Sequence, residues 1–158
     1  SQEPGANPVL SPTPMTGLGG TATAISCDFI GCSVVRNDGT VWNYVRTITA
    51  PTQVAGMAGM AKVAYNGNPG TTFAITTGGA LSASGNNFNG QLGQGNTNAI
   101  AGTVAVPGFA SGTTQVVVGR FSESTLALKS DGSVWFWGAN PAGQNTAFAA
   151  GTIARFHR

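Results

Sequence analysis

A chain of 158 residues has the length of one domain or of part of a larger one. Charged residues make up 8% of it and the net charge is +2, against roughly 25% charged residues in an ordinary soluble domain, which excludes a coiled coil, a charged disordered tail and an electrostatically driven nucleic-acid binder. Arg36, Arg46, Lys62, Arg120, Lys129, Arg155 and Arg158 are scattered along the chain, so no basic stripe is available to track a phosphate backbone and no nucleic-acid partner is expected.

The segment 1–16 holds Pro4, Pro8, Pro12 and Pro14 with little hydrophobic periodicity and is expected to form an extended arm or linker. A start at Ser1-Gln2-Glu3-Pro4 without Met implies a removed leader or anchor, or a start inside a longer protein. Next come Cys27 and Cys32, flanking Asp28-Phe29-Ile30-Gly31. If Thr23–Ser26 and Ser33–Arg36 pair as antiparallel strands, the two cysteines face each other across the neck of a four-residue loop, within disulfide range. An oxidised pair is favoured over two free thiols, and with the Gly-, Thr-, Asn- and Ala-rich composition it points to an extracellular or cell-surface location. No apolar run approaches the roughly 18 residues of a membrane helix, so direct membrane insertion of this segment is not expected.

Beyond residue 50 the strongest signal is internal repetition. Thr125–Gln144, "TLALKSDGSVWFWGANPAGQ", aligns without gaps on Thr72–Gln91, "TFAITTGGALSASGNNFNGQ", at an offset of 53 residues. A decayed copy, Cys32–Val45, places Asp38-Gly39 40 residues before Gly78-Gly79. Within a copy, runs such as Gln115–Gly119, Thr125–Lys129 and Ser133–Trp137 are rich in β-branched and aromatic residues, and Ser130-Asp131-Gly132 is expected to supply the positive φ angles of a tight hairpin. No long stretch has 3.6-residue apolar spacing, so helices beyond a turn are not expected.

A repeat of about 50 residues holding a small antiparallel sheet is the signature of a propeller blade. The run "LALKSDGSVWFWGANPAGQ" (Leu126–Gln144) resembles the repeat of the regulator of chromosome condensation propeller family, and "GNNFNGQLGQG" (Gly85–Gly95) resembles the loop that closes it. The resemblance covers residues 14–144, most strongly in the third copy. Copy one has Asn43-Tyr44 in place of the tryptophan-glycine step, copy two has Ser82 and Ser84 in place of Trp135 and Trp137, and the family's frequent histidine before the alanine-leucine strand is absent. The expected fold is all-β: antiparallel four-stranded blades at about 14–50, 51–106 and 107–158, forming a three-repeat propeller arc over 17–158 behind the arm 1–16.

Candidate chemistry is sparse. His157 is next to the last residue, Asp38 and Asp131 fit turn roles, and Asp28 with Glu123 lie in equivalent loops too thin in partners for acid–base work, so no catalytic residue and no enzyme activity is expected. Cys27 and Cys32 lack the further ligands of a zinc site, and Gly85–Gly90 lacks the carboxylates of a calcium loop, so neither metal nor cofactor is expected. The remaining candidates for ligand binding are Asn86, Asn87, Phe88, Asn89 and Gln91 in the amide-rich loop, with Trp135 and Trp137 on one strand face, although inter-blade packing competes for the two tryptophans.

The family resemblance implies protein recognition through loops on one face: its eukaryotic founder catalyses nucleotide exchange on a small GTPase, and secreted bacterial relatives inhibit β-lactamases. Together these features lead to the expectation of a non-catalytic extracellular recognition module, such as a pilus, adhesin or phage-fibre tip binding a cell-surface glycan or protein. The alternative is a secreted inhibitor or scaffold docking on one protein partner. Three blades leave an apolar face at each end of the arc, so a homo-oligomer or a larger parent chain is expected to cover them, the arm around Val9-Leu10 and the tail Phe148–Phe156 being further candidates.

Overall fold

The computed structural model describes residues 11, 12, 14, 17–45, 50–67, 70–119, 123–140 and the backbone of 154–156. Most of the arm 1–16 and of the tail 148–156 therefore lies outside the described residues. Among those described there is no helix, and the strands form three antiparallel sheets of four. The first blade contains β1 (Ala22–Cys27), β2 (Gly31–Arg36), β3 (Val41–Val45) and β4 (Thr52–Gln53). The second contains β5 (Met60–Asn66), β6 (Thr71–Thr76), β7 (Leu81–Gly85) and β8 (Thr103–Ala105). The third contains β9 (Thr113–Val118), β10 (Ser124–Lys129), β11 (Val134–Gly138) and β12 (Ala154–Phe156). Each sheet runs in sequence order, and β12 extends the third blade at its edge, pairing Val134 with Phe156.

The repeated hairpin between the second and third strands follows from its turn chemistry. Gly39, Gly79 and Gly132 have φ of 77°, 80° and 81°, and each N–H donates to the carbonyl three residues back, at Arg36, Thr76 and Lys129. These are three-residue loops in which only the glycine takes positive φ; among the described residues the single non-glycine there is Glu123, at 51°. The aspartate contributes through its side chain instead. Asp38 Oδ1 accepts from the Thr40 N–H (2.9 Å) and hydroxyl (2.6 Å), and Trp42 Nε1 donates to Thr40 Oγ1 at 2.9 Å. Asp131, Ser133 and Trp135 repeat the relay at 2.9, 2.6 and 2.9 Å. Register from these turns aligns Trp137-Gly138 with Tyr44-Val45, one residue later than the sequence reading placed the degenerate step.

Alternation then gives each blade two faces. The joint between the second and third blades buries Phe73, Ile75, Leu81, Ala83, Leu92, Phe109, Val116, Ala127 and Trp137. Val35, Val41, Val54, Met57, Met60 and Ala74 form a smaller core between the first and second. The first strands line up across the blades, β5 lying against both β1 and β9. This stacking brings the β1–β2, β5–β6, β7–β8 and β9–β10 loops to one end of the molecule.

Candidate functional site

The loops at that end are tied together by named bonds. Asp28 is the centre of the first set: its Oδ1 accepts from the N–H groups of Ile30 (2.8 Å) and Gly31 (3.0 Å), and its Oδ2 from Gly67 of the second blade (2.6 Å). Tyr65 N–H donates to Ser26 Oγ at 3.0 Å, and Asn66 Nδ2 donates to the Gly119 carbonyl of the third blade at 2.8 Å. Cys27 and Cys32 are disulfide-bonded across the loop neck, with Cα atoms 4.0 Å apart; closing so short a loop stabilises by about 2 kcal/mol in the chain-entropy model. Phe29, at the tip of this braced loop, is 47% exposed.

A cleft of about 430 Å³ opens between the blades here, lined by Cys27, Asp28, Phe29, Tyr65, Asn66 and Val118. Burial pushes the Tyr65 phenol above its ordinary value of 10.0, and the Asp28 charge adds to the shift. Sequence reasoning did not nominate Tyr65 or Asn66. Neither stands in a recognisable motif, and the order of the blades alone brings them to the cleft.

The β7–β8 loop separates the expected ligand residues into two groups. Asn87 and Gln91 are buried, each 1% exposed. Asn87 Nδ2 donates to the carbonyls of Asn96 (3.1 Å) and Asn98 (2.9 Å), while its Oδ1 accepts from the Leu92 N–H at 3.0 Å. Gln91 Oε1 accepts from the Asn89 N–H at 2.7 Å. These two amides hold the loop in shape because a buried polar group must find partners within the protein, which leaves no free edge for a ligand. Asn86 Oδ1 caps the loop by accepting from the Phe88 N–H at 2.9 Å. The Asn89 amide donates to the Glu123 carboxylate, linking second and third blades. Phe88 stands outward at 69% exposure.

The two tryptophans pack in the joint between the second and third blades. Trp137 is fully buried, its Nε1 donating to the Gln91 carbonyl at 2.6 Å, with its ring 5.9 Å from Phe73 and 5.4 Å from Phe109. Trp135 packs edge-on to Phe109 at 5.3 Å. Of the expected ligand set, Phe88 is the exposed ring, flanked by the partly exposed Asn86 and Asn89, and Phe29 of the first blade is exposed as well.

No family model and no curated protein sequence matches the chain. Its fold does match solved structures. Human WBSCR16 superposes with a TM-score of 0.67 at 16% identity, over 90% of this chain and 39% of that one. Prp20p from Saccharomyces cerevisiae, characterised for its binding to Gsp1p and histones, gives 0.57 at 13% identity, over 81% of this chain and 34% of that one. The computationally designed Ika4 protein gives 0.55 at 14% identity, over 91% of this chain and 76% of that one.

These matches correct the extracellular expectation. The natural structures are intracellular yeast and human proteins, and the partners named for Prp20p are proteins. The adhesin, pilus and phage-fibre readings, the secreted-inhibitor alternative and the extracellular or cell-surface location are accordingly set aside. They rested on low charge, amide-rich loops, the Pro-rich arm and the expected disulfide. The structure uses Gly and Asn for turns, as at Gly79, and for loop bracing, as at Asn87, which any compartment permits, and it contains the Cys27–Cys32 disulfide. The chain spans between a third and two fifths of the natural proteins it matches, and its fold is a three-blade stretch of the regulator of chromosome condensation type of β-propeller.

Proposed function

We propose that the chain is a non-catalytic recognition module that grips a protein partner through its loop end, with residues 17–158 as the recognition domain and 1–16 as an arm. The observation that carries this reading is the presence of two exposed phenylalanines on braced loops: Phe88 on a loop held by buried amides, and Phe29 on a loop held by a carboxylate and a disulfide and lining the cleft. Large rings held on rigid supports make strong protein-binding anchors because little conformational entropy is lost when they are covered. The protein partners of Prp20p support the same class of function. A non-catalytic role is supported by the occupation of Asp28 and Glu123 in internal hydrogen bonds.

The test places a photo-crosslinking phenylalanine analogue at position 88, identifies the captured protein by mass spectrometry, and then measures affinity with that protein purified. Phe88→Ala should weaken binding by about 30-fold or more, as for a hot-spot anchor, with the thermal melt unchanged because the ring is exposed. Equal affinity of Phe88→Ala, Phe29→Ala and the parent chain would remove the loop end from the reading.

A further inference from the structure

The loop that the Cys27–Cys32 bond closes is also held by contacts that do not run through the sulfurs. At its neck the Asp28 N–H donates to the Gly31 carbonyl at 2.8 Å. Within the loop Asp28 Oδ1 accepts from Ile30 and Gly31, and Asp28 Oδ2 reaches across to the Gly67 N–H of the second blade at 2.6 Å. Ile30 lies so near Gly67 that a Cβ added to the glycine would stand 2.6 Å from the Ile30 Cβ, so the loop is pressed directly on the neighbouring blade. Strand pairing continues through the neck as well, with Ser26 opposite Ser33 and Cys27 opposite Cys32. Each of these contacts survives when the sulfurs part.

The two sulfurs are not equally placed. Cys27 is exposed and lines the cleft of about 430 Å³, whereas Cys32 is half-buried and is not among the residues lining it. A thiolate opens a disulfide by attacking one sulfur and displacing the other, so access decides which end is attacked. Access here favours Cys27. Exposure is what separates labile disulfides from structural ones, and a separation of five residues in sequence limits how much the closed loop adds to stability.

We propose that Cys27 is a thiol-exchange site, which a low-molecular-weight thiol reaches from the cleft while the chain stays folded. The incoming thiolate forms a new S–S bond to Cys27 Sγ, the Cys27–Cys32 bond breaks with its electron pair on Cys32 Sγ, and water protonates the released thiolate. A second external thiolate, attacking the outer sulfur of the mixed disulfide, leaves both cysteines reduced and the two external thiols joined as their own disulfide. The first step is reversible. Strand pairing keeps Cys32 opposite Cys27, so the Cys32 thiolate can expel the external thiol and close the bond again. In the open form Asp28 and Ile30 still hold the loop on the second blade, but the covalent clamp at its neck is gone and the tip carrying Phe29 gains freedom.

Treatment with 2-mercaptoethanol in buffer without denaturant, followed by acid quenching and peptide mapping, should find the adduct on Cys27 and a free thiol on Cys32. The rate should stay constant across denaturant concentrations below the unfolding transition, since the attack does not wait for unfolding. In the fully reduced chain, amide exchange of Ile30, Gly31 and Gly67 should accelerate by about tenfold, the modest effect of a short closed loop. Phe73, Ala74 and Ile75 of the second blade should keep their amide chemical shifts. An adduct on Cys32, opening that sets in only with global unfolding, unchanged exchange around the loop, or loss of the second-blade shifts on reduction would each overturn the proposal. A failed Phe88 test would leave it untouched, because neither the thiol nor these measurements involve that loop.

Discussion

The two internal joints of the arc occupy equivalent positions and are built from different materials. Between the second and third blades, Phe73, Phe109, Trp135 and Trp137 interlock as tilted and edge-on rings, and Lys62 and Lys129 cross to backbone carbonyls at 2.6 and 3.1 Å. Between the first and second, the rear strand offers Ser82 and Ser84 where the third blade has the two tryptophans. Val35, Val41, Met57 and Met60 fill the space, and Asn43 Nδ2 donates to Thr72 Oγ1 at 3.2 Å. A repeat can thus lose its aromatic signature and keep its place, provided that valines and an amide of the facing blade, with methionines from the segment that enters the next one, fill the space beside its small rear-face residues. Methionine suits such a gap because its flexible thioether adapts to irregular space.

Trp137→Ala is the most damaging single change expected. It removes the largest fully buried side chain and the indole donor to Gln91, at a cost of about 3–5 kcal/mol. Denaturant unfolding should register the full loss, and amide exchange should accelerate first in β9–β11 and in the Leu92 region. Met57→Ala tests the other joint. Met57 is 1% exposed, but the flexible core around it can partly collapse, so a cost at the lower end of the large-to-small range, about 2–3 kcal/mol, is expected. If Met57→Ala proved the costlier of the two, the aromatic joint would not be the stronger one.

This contrast also marks how far the sequence could be read. Spacing around Gly79 and Gly132 was legible because Gly at positive φ and period-two alternation are local rules, and the facing of Cys27 and Cys32 followed from hairpin geometry alone. Inter-blade packing of Trp135 and Trp137 could be anticipated but not separated from ligand binding, since alternation tells which residues share a face without telling what covers it. The roles of Asn87 and Gln91 were hidden for a related reason. An amide in a glycine-rich loop looks the same in sequence whether it faces solvent or holds the loop from inside, and only contacts to Asn96, Asn98 and Leu92 distinguish the two. Tyr65 and Asn66 reached the cleft by blade stacking, which no local pattern encodes.

The smallest expected effect concerns the turns that abut the two joints. At the first joint, the Gly39 carbonyl accepts from the Met60 N–H at 3.0 Å, and at the second the Gly79 carbonyl accepts from Thr113 at 2.9 Å. The first turn is held by a carboxylate, the second by the Thr76 hydroxyl, which accepts from the Ala80 N–H at 3.0 Å. The Thr40 hydroxyl, the Thr40 N–H and, further away, the Arg36 charge hold the Asp38 carboxyl below its ordinary value of 3.8. A carboxylate depressed by folding contributes stability above its unfolded pKa, and that contribution disappears as pH falls through the folded value. The window is therefore acidic, below 3.8, and Asp38 is fully exposed, so the effect is local. Acidification through that window should increase the mobility of Thr40 and Gly39, read by NMR line shapes and amide shifts, while Ala80 and Gly79 stay unchanged. Asp38→Asn should remove the acid response at the first turn and leave both joints assembled. Equal acid sensitivity of the two turns would mean that the carboxylate is not what distinguishes them.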